Sequence, residues 1–190
     1  MINVAARTII GGGVVVYPTE TVYGLGACAL DEHAILRVFQ IKKRPLSMPI
    51  FLAVSSFEML ESVAMVGPND MAILEKLLPG PISVLVPKKD IVPNMLTAGS
   101  SLVGLRFPDH EMALQIIDIA GPITSTSANR TGLAPPSSAQ EVSPEIADRV
   151  DVVLDGGKCT YSQPSTLLDL STKKIIRPGA ELQRVLKAIS

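Results

Sequence analysis

The chain has 190 residues, 47% hydrophobic and 18% charged, which suits one domain with a sizeable core and argues against extended disorder. A net charge of −1 and a pI near 6.1 argue against a protein that grips nucleic acid mainly through phosphates. The absence of Trp, with three Tyr and four Phe, leaves few platforms on which single-stranded bases could stack.

In chain order, Ile2 to Ile10 fits a helix stopped by Gly11, Gly12 and Gly13. The segment "VVVYPTETVYGLG" then runs from a buried strand, Val14 to Tyr17, into a polar loop with hydroxyls, one carboxylate and two glycines. It matches neither GxxxxGK[ST] nor GxGxxG. Asp31 can cap a helix whose apolar face is Ala34, Ile35, Val38 and Phe39, and Pro45 ends it. "PIFLAV" reads as a strand, and Ser55 with Glu58 forms a capping box for "SFEMLESVA". A helix over Asn69 to Leu78 stops at "PGP". "ISVLVP" and "LVGLRFP" are strands, and "DHEMALQIIDIAG" is a helix ending at Gly121. "PITSTSAN" is a short strand opening into a loop, and Ser138 to Glu141 is a candidate helix cap. "DVVLDGG", "STLLDL" and "KKIIRPG" are strands, followed by a helix from Glu181.

This order mixes β–α alternation with adjacent strands. It predicts a single α/β domain over residues 1–190: a twisted sheet of mixed parallel and antiparallel strands with flanking helices. A ligand cleft is expected at the ends of the strands leading into Thr19, Ser127 and Ser165. No apolar run approaches bilayer length and "MINVAARTIIGGG" lacks a signal peptide's apolar core, so a soluble, cytoplasmic protein is expected. Cys28 and Cys159 lie outside any CxxC, and His33 and His110 are far apart. A disulfide framework, a zinc site and a histidine-dependent hydrolase are therefore all disfavoured. His33 and His110 are expected near helix starts at the surface. Asp151, Asp155 and Asp169 are expected in turn and cap roles.

Five groups could carry chemistry. If the chain is extended where Pro45 ends the helix, Lys42 and Arg44 share a side and can converge on one anion; taken alone, the pair reads more simply as a solvated basic helix end. Ser127 and Asn129 share a side of "TSTSAN" by the same period, and turn chemistry competes. Arg106 closes an apolar strand, as a carboxylate- or phosphate-binding arginine would, or as one half of a structural ion pair. Ser165 and Thr166 open a strand, and Arg177 follows one. Together they describe cations and hydroxyls with no evident nucleophile and base. Such a site suits phosphoryl or nucleotidyl transfer, where positioning and charge stabilisation suffice.

"YPTETVYGLG", "KKRP", "VGLRFP", "TSAN", "PSTLLD" and "RPG" occur in the order and approximate spacing of the YrdC/TsaC family of threonylcarbamoyl-AMP synthases, which the chain resembles from about Val14 to Gly179. The resemblance is to the family's short, single-domain form and implies a YrdC-like fold. It implies that L-threonine, bicarbonate and ATP give threonylcarbamoyl-AMP and pyrophosphate. The product then serves a separate tRNA threonylcarbamoyl-transferase complex that modifies the adenosine beside the anticodon. Thr21, Arg106, Ser127 and Ser165 match threonine-binding positions. Arg44, Asn129, Ser137 and Arg177 match ATP-binding positions. Lys42 completes a basic pair with Arg44 facing the ATP phosphates, and the two are expected to act catalytically by offsetting the negative charge that grows as pyrophosphate leaves. Magnesium would accompany ATP. Ala53 stands near where several relatives carry a histidine, and Met48 where a small polar residue is common. The reading from a different class is a module of the same fold that binds double-stranded RNA or tRNA.

Overall fold

The computed structural model describes residues 1–190. Helix α1 (Ile2–Ile10) leads through the glycines to β1 (Val15–Tyr17), and the polar loop after it returns as β2 (Gly24–Gly26). β2 pairs antiparallel with β1, Tyr17 opposite Gly24. The second half of the glycine-punctuated segment is thus a strand and not only a loop. The reason is close approach: a Cβ on Gly24 would stand 2.9 Å from the Tyr17 ring.

Helix α2 (Glu32–Lys42) starts as expected, with the Asp31 carboxylate accepting from the amides of His33 and Ala34. β3 (Phe51–Ala53) follows, then α3 (Phe57–Val63). Ser56, not Ser55, caps α3 by accepting from Met59 N at 3.0 Å; this puts Glu58 one residue too early for a capping box. Next come α4 (Pro68–Leu77), β4 (Ile82–Pro87), the short α5 (Asn94–Thr97), β5 (Leu102–Arg106), α6 (Glu111–Ala120) and β6 (Ile123–Ser127). Residues Ala139–Glu141 make only one 3-10 turn, which Ser138 does not cap. α7 (Pro144–Ala147), β7 (Val152–Val153), β8 (Thr166–Asp169), β9 (Lys174–Arg177) and α8 (Leu182–Ile189) complete the chain.

The nine strands form one mixed sheet in the order β7-β1-β2-β6-β3-β5-β4-β8-β9. β1–β7, β3–β5 and β4–β8 are parallel, and the other neighbours are antiparallel. Side chains alternate between its faces. Val16, Leu52, Val84, Leu105 and Leu168 face one large core closed by α2, α3, α4 and α8. Val15, Tyr17, Ala53 and Ile123 face a smaller core closed by α1 and α6. α1 and α6 leave part of this second face uncovered, and there the inward positions turn from aliphatic to polar. No helix is long and apolar enough to cross a membrane.

Asp155 and Asp169 fill turn roles, accepting from Gly157 N and from Ser171 N and Thr172 N. Asp151 accepts from Val14 N at 2.7 Å and pairs with Arg37, tying α2 to the start of β1. His33 is exposed as expected. His110 is half-buried, burial pulls its pKa down, and its Nδ1 has no partner.

Candidate functional site

The loop between β1 and β2 builds one wall. Thr19 Oγ1 accepts from the amides of Thr21 and Val22 at 3.2 and 3.3 Å and donates to Val22 O at 2.7 Å. That commits its one proton, so in the 2.9 Å Thr19–Thr21 contact Thr21 is the donor. Thr21 Oγ1 then accepts from Arg106 Nη1 at 3.2 Å. Arg106, at the end of β5, also donates through Nη2 to Glu20 Oε1 at 2.7 Å, with Arg106 7% and Glu20 4% exposed. Both readings of Arg106 therefore meet in one residue: it has a buried ion-pair partner behind it and still lines the cleft. Its Nε and Glu20 Oε2 lack protein partners. Sequence reasoning saw Glu20 only as a carboxylate in a loop; nothing local says that it reaches a strand 86 residues away.

The floor is the sheet itself. Phe51, Ser83, Arg106, Ser125 and Ser127 all reach the cleft from β3, β4, β5 and β6. Gly104 makes this possible, since a Cβ there would lie 2.1 Å from the Phe51 ring. The cleft is thus laid across a sheet face, where strand ends alone were expected. Ser165, just before β8, shares a 2.7 Å hydrogen bond with Ser83. Arg177 at the end of β9 donates to Ser165 O and Oγ at 3.0 and 3.2 Å. Burial first, and the Arg106 charge second, pull the Arg177 pKa down. Tyr17 also lines the cleft, and burial pushes its phenol up to about 12, so it stays neutral.

Arg44 lies on the opposite rim. Its Nε donates to Met48 O at 2.9 Å and its Nη2 to Pro49 O at 2.8 Å, so the guanidinium shapes its own loop while lining the cleft. Met48 contributes a backbone oxygen, which is indifferent to its side chain. Ala53 pairs with Arg106 in the parallel β3–β5 register but is buried in the smaller core.

Lys42 departs from expectation. It is the last residue of α2, and Lys43 after it is left-handed (φ 50°), so the extended spacing meant to align Lys42 with Arg44 does not exist. Lys42 is 1% exposed and does not line the cleft. Its Nζ donates to Ser127 O, to Asn129 O at 2.8 Å and to Asn129 Oδ1 at 3.3 Å. Burial, reinforced by the Arg44 charge, pulls its pKa down to about 7. Asn129 is taken up by this network, where its Oδ1 also accepts from Ser127 Oγ. Ser137 is not at the cleft either: its N and Oγ donate to the Glu141 carboxylate at 2.7 and 2.9 Å, which holds that carboxyl below its usual range.

Of the expected residues, Thr21, Arg44, Arg106, Ser127, Ser165 and Arg177 line one cleft, while Lys42, Asn129 and Ser137 stand behind or beside it. The lining holds three arginines and nine hydroxyl side chains, and no carboxylate, histidine, lysine or cysteine. Such a wall attracts anions and offers no covalent nucleophile with a base. The volume is about 210 Å³. Sites that enclose drug-sized ligands run to about 300–1,000 Å³. The enclosed end therefore suits a small ligand, and anything larger must extend along the open side. No group of three or more His, Cys, Asp or Glu side chains is placed to hold a metal ion.

The Sua5/YciO/YrdC family model, described as "Telomere recombination", matches residues 7–179. A threonylcarbamoyl-AMP synthase of Pyrococcus abyssi is 39% identical over 99% of this chain and 58% of its own length. One from Pseudomonas entomophila is 32% identical over 92% of this chain and 95% of its own. The crystal structure of Pyrococcus abyssi Sua5 complexed with L-threonine superimposes with a TM-score of 0.94 at 38% identity, covering all of this chain and 57% of that one. The chain thus spans little more than half of the Pyrococcus protein and nearly all of the Pseudomonas one.

Proposed function

The chain belongs to the Sua5/YciO/YrdC family, and from that premise we propose that it is a threonylcarbamoyl-AMP synthase, converting L-threonine, bicarbonate and ATP to threonylcarbamoyl-AMP and pyrophosphate. The observation that carries this reading is the convergence of Arg44, Arg106 and Arg177 with nine hydroxyls on a cleft free of carboxylates. An amino-acid carboxylate, bicarbonate and a triphosphate all need such a wall.

In this reading Arg106 binds the threonine carboxylate, with Thr21, Ser127 and Ser165 around the rest of the amino acid. The amine attacks the bicarbonate carbon and water leaves, giving a carbamate. A carbamate oxygen then attacks the α-phosphorus, the bond to the β-phosphate oxygen breaks, and pyrophosphate departs. ATP enters as its magnesium complex along the open side. Arg44 and Arg177 face its phosphates and offset the charge that grows on the leaving group. Lys42 and Asn129 serve by fixing the end of β6 that carries Ser127. Ser137 and Glu141 shape the neighbouring turn. The product passes to a tRNA threonylcarbamoyl-transferase, and the protein works in the cytoplasm.

The RNA-binding reading gains no observation from this geometry. The cleft arginines converge on a small cavity, and Arg106 is too buried to meet a duplex phosphate. The test is to incubate the protein with ATP, threonine and bicarbonate and to look for threonylcarbamoyl-AMP by mass spectrometry. A protein that binds threonine and ATP but makes no adduct would refute the assignment.

A further inference from the structure

The cleft floor holds a hydroxyl that no motif singles out. Ser83 is 1% exposed, yet it lines the cleft. In the antiparallel β4–β5 register it stands directly opposite Arg106. The two therefore share a face, with Cβ atoms about 4.5–5.5 Å apart. Ser83 Oγ meets one protein partner, Ser165 Oγ at 2.7 Å. Ser165 Oγ already accepts from the Arg177 guanidinium at 3.2 Å. Either hydroxyl can donate in the Ser83–Ser165 bond; one that accepts from a cation donates its own proton more strongly, which favours the order Arg177 to Ser165 to Ser83. In that order Ser83 Oγ accepts from Ser165, and its own proton is left for a ligand. It lies beside the buried guanidinium of Arg106, in a cleft without carboxylates. The acceptor that completes this arrangement is an anion at Arg106.

We propose that Ser83 is a further amino-acid-binding residue, whose hydroxyl donates to the substrate carboxylate held by Arg106; this rests on the synthase reading. Arg106 supplies the charge, and Ser83 supplies a short, directional bond that fixes the carboxylate's plane. Position 83 thereby favours a carboxylate over a neutral group at that end of the ligand.

The test uses Ser83→Ala, which removes one oxygen from a well-packed strand. Calorimetry is run with L-threonine and, by competition at high concentration, with L-threoninol, which keeps the hydroxyl and ammonium but lacks the carboxylate. A hydrogen bond to a charged group predicts threonine binding weaker by about 10- to 100-fold in Ser83→Ala, with threoninol binding unchanged. The KM for threonine should rise, while kcat at saturating threonine and the KM for ATP hold. Equal losses for both ligands would show that Ser83 acts only by placing Ser165, and would overturn the proposal. Unchanged threonine affinity in Ser83→Ala, with normal wild-type binding, would overturn this inference alone. Wild-type protein unable to bind L-threonine would overturn both it and the synthase reading.

Discussion

Lys42 is the residue whose behaviour differs most from that of a surface lysine, and replacing it by Met tests why. Burial beside Arg44 pulls its pKa from 10.5 down to about 7. In the unfolded chain it returns to the ordinary value. Between about pH 7 and pH 10.5 the unfolded state therefore binds a proton that the folded state has released. Stability contributed at this site rises with pH across that window, at no more than about 1.4 kcal/mol per pH unit. Below pH 7 both states are protonated, and the cost of burying the cation is fully present. From pH 7.5 to 9.5 the gain approaches 3 kcal/mol, with the three oxygens around Nζ reducing it by favouring the charged form. Lys42→Met has no such proton, and subtracting its denaturation free energy from that of the wild type cancels every other titration. Urea denaturation of both proteins at half-unit steps from pH 6.5 to 9.5 reads the difference. A difference that stays flat across the range would mean that Nζ keeps its proton, and that the buried site is polar enough to hold an ammonium.

Arg106→Ala should abolish threonine binding and destabilise the fold by about 3–5 kcal/mol, because it strands the buried Glu20 carboxylate; adding Glu20→Gln should return part of that stability in a denaturant titration. Gly104→Ala should cost about 1–3 kcal/mol and weaken threonine binding, since its Cβ would displace the Phe51 ring from the floor; thermal unfolding and calorimetry read the two effects. Arg44→Ala should slow pyrophosphate release by about a hundredfold or more. Arg44→Lys should recover little, because one ammonium cannot bridge Met48 O and Pro49 O while facing phosphates.

The sequence makes the element order legible because most elements carry local signals: Asp31 at a helix start, Gly121 after a helix, β-branched runs in strands. It hides β2, since "GLG" has no strand propensity; Gly24 and Leu25 are held by their neighbours β1 and β6. The cleft residues with motif-like surroundings, Thr21, Arg44, Arg106, Ser127, Ser165 and Arg177, are readable as polar groups at the edges of apolar runs. Ser83 sits inside "ISVLVP", where a lone serine looks like noise. Glu20 and Lys42 show the converse failure. Glu20 reads as an ordinary loop carboxylate and Lys42 as a phosphate contact, but their partners lie 86 and about as many residues away in sequence, at Arg106 and at Ser127 and Asn129. Spacing arguments carry information only while the backbone conformation holds, and one left-handed residue at Lys43 cancels the alignment of Lys42 with Arg44.

Four cations lie in or beside the cleft, and the ways in which their charges are held separate their roles. Arg106 has a carboxylate behind it, so its net charge is largely matched before any ligand arrives. On the synthase reading, bound threonine would add a second, shorter-lived partner to a group already fixed in place. Lys42 meets only amide oxygens and lowers its charge by losing a proton near neutral pH. Arg44 and Arg177 cannot lose theirs at any ordinary pH. Their hydrogen bonds go to the carbonyl oxygens of Met48 and Pro49 and to Ser165, which orient the guanidinium groups without neutralising them. Burial lowers the pKa of both, and Arg106 adds repulsion at Arg177. An anion placed between them is therefore held by two full charges in partly dry surroundings. On the proposed synthase reading, a threonine carboxylate satisfied at Arg106 would leave that attraction unspent, so Arg44 and Arg177 would be free to hold the phosphates.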